Sequence, residues 1–197
     1  MPKKAAVDYD TFYPQNRAEW RAWLAEHHTT STGVWVIYYK KESGKPRVEY
    51  ADAVEEALCF GWIDSVPNAI DDLSYKQLFS PRNPKSPWSK LNKERVEALI
   101  AQGLMTPAGL AKIELAKQNG TWTSYDAIET LSVPPDLQAA LAQNPTAQTN
   151  FEAFNPSSKK NILWWIESAK RPETRAKRIE ETVRLAAQNL KANHPRQ

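Results

Sequence analysis

Four times in this chain a helix-capping residue stands directly before a proline, at Ser86–Pro87, Thr106–Pro107, Asn144–Pro145 and Asn155–Pro156. Proline at the first helical position loses nothing, because that N–H has no intrahelical partner, and its fixed φ suits the helix. The pattern predicts helices from about Trp88 onward, with stops at Gly103 and Gly120. Ile162, Trp165, Ile166 and Ala169 make one apolar stripe, and Ile179, Val183, Ala186 and Leu190 make another. A helical half thus begins near Pro134, joined to what precedes it through Thr121–Val133.

The first half reads differently. Asn16, with Glu19 three residues later, opens a helix to His28 whose Trp20, Trp23, Leu24 and His27 share a face. Val34–Tyr39 is an unbroken β-branched and aromatic run, the signature of a strand buried on both faces. A helix over about Ala51–Phe60 stops at Gly61, and strands are predicted at Trp62–Val66 and Ser74–Ser80 with turn chemistry at Pro67–Asn68. The expectation is an α+β chain. A small mixed or antiparallel sheet with helices occupies the N-terminal half, and an all-helical half follows. Residues 10–120 and 134–192 are the expected domains.

Composition narrows the function classes. The lone cysteine, Cys59, rules out an internal disulfide and fits a reducing compartment. The opening residues carry lysines without an apolar segment, and no run approaches the roughly 20 apolar residues of a membrane span, so a cytoplasmic location is expected. Metal-ligand spacings, phosphate loops, dinucleotide fingerprints and hydrolase elbows are all missing, so no metal and no cofactor are expected. Eight tryptophans demand a core or a groove to sit in.

Charge is unevenly spread. Lys76–Arg95 carries six basic residues and one acidic, and Pro156–Gln197 carries ten and four. Within the first stretch, Ser80–Asn92 combines three prolines with Arg82, Lys85 and Lys90 and with the polar Ser86, Ser89 and Asn92, just ahead of a helix. Free N–H groups and the positive end of a helix dipole suit a phosphate, sulfate or carboxylate. The competing account makes Ser86 a helix cap, Trp88 an apolar anchor and the cations solvated. Asp64, beside Trp62 after a helix–strand junction, is the one candidate for acid–base chemistry. The Lys170–Arg178 cations are read as partners of acidic residues such as Asp52, Glu55 or Asp71; a nucleic-acid role is disfavoured because no reading motif accompanies them.

Four blocks, in order, resemble the YdeI/OmpD-associated (bacteriocin-protection) family: Ala57–Ser65, Phe79–Arg82 through Ser86–Asn92, Gly103–Gly109, and the closing Trp165-Ile166, Ala169-Lys170, Glu173-Thr174-Arg175 and Arg178-Ile179. The likeness runs from about Asn16 to Leu190. It implies a link to tolerance of antimicrobial peptides or bacteriocins and to an outer-membrane porin, and it brings no catalytic residues or cofactor. Three functions follow as expectations. The first is a binding or stress-tolerance protein that takes a small anionic ligand or acidic peptide in a groove of Trp62, Asp64, Arg82, Ser86, Trp88, Ser89, Lys90 and Asn92. The second is an enzyme using Asp64 on an anionic substrate. The third is a nucleic-acid-associated protein using the basic C-terminal helices.

Overall fold

The structure, a computed structural model, describes residues 8–194 and divides into two compact units, one ending at Thr123 and one beginning at Ser124. The short N-terminal segment read above for a leader lies mostly outside the described residues. In chain order the first unit holds β1 (Thr11–Phe12), α1 (Arg17–His27), β2 (Val34–Tyr39), α2 (Tyr50–Cys59), β3 (Trp62–Ala69), β4 (Ser74–Pro81), α3 (Lys90–Ala101) and α4 (Pro107–Gln118). The sheet order is β1-β2-β4-β3, with β1 parallel to β2 and the other pairs antiparallel. The chain is α+β, with a mixed sheet and helices first and helices thereafter.

Local chemistry places α1. The Asn16 side chain accepts the Glu19 N–H at 3.0 Å, and Glu19 accepts the Gln15 N–H at 2.9 Å in return. Trp20 and Leu24 are buried, and the Trp20 indole donates to the Ala53 carbonyl, tying α1 to α2. The buried Glu56 carboxylate on α2 receives both Arg17 and Arg21, and Arg17 also reaches Asp52 and Glu55.

Three expectations change. First, β2 is fully buried on one face only: Val34, Val36 and Tyr38 enter the core while Trp35, Ile37 and Tyr39 stay half-buried. The helices that share the core with it pack against that single face. Second, Pro67–Asn68 is no turn. β3 runs through it to Ala69, because Pro67 lies on an edge strand just past a register shift, where a missing N–H costs no ladder bond. The reversal comes at Ile70–Leu73, where the Asp71 carboxylate accepts the Leu73 N–H at 2.8 Å. Third, Ser86–Pro87 starts no helix. Ser89 caps α3, accepting the Asn92 N–H.

The other three cap–proline pairs do start helices, with Thr106, Asn144 and Asn155 each accepting an N–H three residues on. Gly103 and Gly120 follow α3 and α4 with φ of +68° and +80°, left-handed backbone that glycine adopts freely. The second unit contains α5 (Asp126–Glu129), α6 (Pro135–Ala142), α7 (Pro145–Ala153), α8 (Pro156–Glu167) and α9 (Pro172–Ala187) around Leu137, Leu141, Phe151, Ile162, Leu163 and Ile166. Leu190 lies beyond α9 and is exposed. Arg175 pairs with Asp136 and Glu167, inside its own unit, and not with Asp52 or Glu55, which hold Arg17. No helix among the described residues is long and apolar enough to cross a membrane.

Candidate functional site

Arg82 organises the segment that leads into α3. Its N–H donates to the Gly61 carbonyl at 2.9 Å, its guanidinium lies 3.8 Å from the centre of the Trp88 ring, and Nη2 donates to the Pro87 carbonyl. These contacts hold residues 82–88 in a non-helical path with a turn closed by the Ser86 N–H on the Asn83 carbonyl, and the helix waits until Lys90. Arg82 is only 5% exposed, has no ion pair among the described residues, and its Nε lacks an acceptor. Burial pulls its pKa down to about 10, and the charge of Asp64 acts in the opposite direction.

Of the remaining predicted site residues, only Trp88 packs on it. Trp88 is buried against Trp122. Trp62 is 1% exposed, donates to the His28 carbonyl and meets Trp23 edge-on, at the α1 side of the core. Neither indole reaches solvent. Ser89 is committed to the cap, and Asn92 accepts from Arg95 at 3.2 Å. Ser86 is half-buried in a turn closed onto Asn83, and the exposed Lys90 pairs with Glu94.

Asp64 belongs to a different constellation, set by register. Directly paired residues share a face of a sheet, so the helix-facing side reads in rows: Val34–Phe79–Asp64, Val36–Gln77–Pro67 and Tyr38–Tyr75–Ala69. From Asp64 to Pro67, β3 uses one residue more than β4 does between Phe79 and Gln77. That bulge keeps both Asp64 and Pro67 on the inner face. Tyr50, the first residue of α2, completes the group from above.

The Asp64 Oδ2 atom accepts from Tyr50 Oη at 2.8 Å and from Gln77 Nε2 at 2.7 Å, while Gln77 Nε2 also donates to the Ser65 carbonyl. Burial, reinforced by the bond to Asp64, pushes the Tyr50 phenol up to about 12, so it donates at neutral pH. Behind it stands Tyr38, 1% exposed, whose ring stacks on Tyr75 at 5.0 Å and whose hydroxyl has no partner among the described residues. Burial above all, with the negative charge of Asp64 adding to it, holds that hydroxyl protonated far above its ordinary range. A cleft of about 490 Å³ opens here, lined by Tyr50, Pro67, Ala69, Tyr75 and Gln77. The sequence offered one signal for this group: Gln77 is a polar residue in the alternation of inward-facing aromatics Tyr75 and Phe79.

A larger cleft, about 700 Å³, lies in the second unit between α6 and α9, floored by Ala140, Ala176, Ile179 and Val183. Most of its rim charges are paired, Arg175 with Asp136 and Glu167 and Arg184 with Glu181, while Glu180 has no ion pair among the described residues. Among the described residues no His, Cys, Asp or Glu cluster could hold a metal ion, and Cys59 is buried, its thiol pushed up by desolvation. Residues 12–112 match the model of a domain of unknown function (DUF8412), and residues 130–189 match the model described as bacteriocin-protection, YdeI or OmpD-associated. No curated protein and no solved structure matches the chain.

Proposed function

The chain belongs to the DUF8412 family through residues 12–112 and to the bacteriocin-protection, YdeI or OmpD-associated family through residues 130–189, and from that premise we propose that it is a binding protein whose first unit takes up a small ligand in the cleft beside Asp64. The observation that carries this reading is the Tyr38 hydroxyl, buried without a partner among the described residues on a ring stacked against Tyr75, which lines the cleft. A buried polar group left unsatisfied costs about 1–3 kcal/mol, and native chains keep such groups mainly where something else meets them. The family description speaks of bacteriocin protection; in this reading the cleft is the part of the chain that meets a ligand in such a role.

Phenol serves as a shape probe. Its titration should move the NMR signals of Tyr50, Tyr75 and Gln77 together, and Ala69→Trp, which fills the cleft from its exposed wall, should abolish the response. Shifts centred instead on Ala140 and Ile179 of the α6–α9 cleft would sink the reading.

A second reading rests on Arg82. A guanidinium removed from water without a carboxylate in contact is costly, and an anion at the approach to α3 would relieve that cost. Sulfate should then raise the unfolding temperature of the wild type and leave that of Arg82→Gln unchanged. Equal responses would remove this reading and leave the cleft untouched.

A further inference from the structure

Hydrogen-bonding capacity limits what can enter the cleft. Asp64 is bonded through Oδ2 to two residues of the cleft lining, Tyr50 and Gln77, which leaves Oδ1 without a partner among the described residues. Gln77 commits both hydrogens of Nε2, one to Asp64 and one to the Ser65 carbonyl, which fixes its amide orientation and leaves Oε1 as an acceptor. Tyr50 has given its proton to Asp64 and retains lone pairs only. The Tyr75 hydroxyl in the cleft lining and the Tyr38 hydroxyl behind it can each donate or accept, so the fixed groups that select a ligand are the acceptors of Asp64 and Gln77.

The walls are the ring of Tyr75, the Tyr50 ring, Pro67 and Ala69. Tyr38 lies parallel to Tyr75, with 7° between the ring planes, so the aromatic wall is two rings deep and rigid. Such a wall suits a flat partner, and stacked rings contribute roughly 0.5–1.5 kcal/mol beyond area burial.

Resting on the reading of this cleft as a ligand site, we infer that its ligand is a flat aromatic molecule that presents N–H donors, an amidine or amine in chemical class, to Asp64 Oδ1 and Gln77 Oε1 with its ring against Tyr75. One feature pulls the other way: Arg95 on α3 acts on the Tyr50 phenol and is half-buried, though it donates to Asn92. An anionic ring would be drawn toward Arg95, and a donor ring toward Asp64. The two alternatives differ in a way that isosteric probes can separate.

Benzamidine, benzamide and benzoate share one shape and differ in what they donate and in charge. Titrated into the full chain by NMR or calorimetry, benzamidine should bind about tenfold or more tighter than benzoate, with benzamide between them, because a charge-assisted hydrogen bond exceeds a neutral one by that margin. Asp64→Asn, which keeps the shape and removes the charge, should erase the preference for benzamidine over benzamide. Ala69→Trp leaves the polar group intact, and it should abolish binding of all three. Benzoate binding as tightly as benzamidine, or a preference unchanged in Asp64→Asn, overturns the inference while the phenol response keeps the cleft. If none of the three binds at about 10 mM, the inference falls, and the phenol result then decides whether the cleft falls with it.

Discussion

Both units enclose a cleft and both carry arginines close to carboxylates, yet they use these parts differently. In the second unit most of the charges around the α6–α9 cleft answer one another: Asp136, Arg175 and Glu167 form one set at the surface, Arg184 and Glu181 another. In the first, the cleft is smaller, but behind its Tyr75 wall stands a buried hydroxyl that nothing among the described residues satisfies. On the proposed reading, volume alone points away from the ligand site. The polar groups a fold leaves unanswered say more about binding than the space it leaves open.

The same contrast extends to stability, and Glu56 tests it most sharply. Its side chain is 3% exposed and held by Arg17 and Arg21, while the Asp136–Arg175 pair is 46% and 25% exposed. Glu56→Ala takes from Arg21 its carboxylate partner and from Arg17 one of three, and should cost about 1.5–3 kcal/mol in urea unfolding. Arg175→Ala should cost roughly 1 kcal/mol or less. Equal losses would erase the distinction between the units.

Gly109 comes next. A Cβ there would lie 2.3 Å from the Cys59 carbonyl oxygen, at the seam where the Thr106 hydroxyl also donates to that carbonyl. Gly109→Ala should cost about 1–3 kcal/mol by forcing α4 off α2. That seam explains why Gly103–Gly109 forms a recognisable block without any chemistry in it.

The smallest effect concerns pH. An unfolded tyrosine titrates near 10, while Tyr50 in the fold holds its proton to about 12. Above pH 10 the unfolded chain therefore releases a proton that the folded one keeps, and rising pH favours unfolding. The stability difference between wild type and Tyr50→Phe should be constant below about pH 10 and should shift against the wild type as pH climbs toward 12. Tyr50 is 44% exposed, so the change should be modest. A flat difference would show that the Tyr50–Asp64 bond is not held in solution, weakening the cleft's polar end.

Much of the fold was legible because helix ends are local. Asn16, Thr106, Asn144 and Asn155 each bond an N–H three residues away, an interaction complete within one turn. Ser86 had the same local signature and starts nothing, because Arg82 reaches over to hold the Pro87 carbonyl and Trp88 must stay extended to bury its ring against Trp122. Pro67–Asn68 read as a turn for a similar reason: nothing in the dipeptide reveals that it lies on an edge strand beside a bulge.

The amino-acid sequence by itself determined where helices begin and stop, that a sheet and helices precede an all-helical part, and that Ser80–Asn92 is a stiff cationic segment. Only the tertiary structure decided what that segment and Asp64 do. Strand register set Asp64 beside Gln77 and Tyr75 beside Tyr38, and one extra residue in β3 kept Pro67 on the same face. Register depends on partners far apart in the chain (Asp64 with Phe79, Tyr38 with Tyr75, Val36 with Gln77), and a shift of one residue would turn each of these side chains to the opposite face.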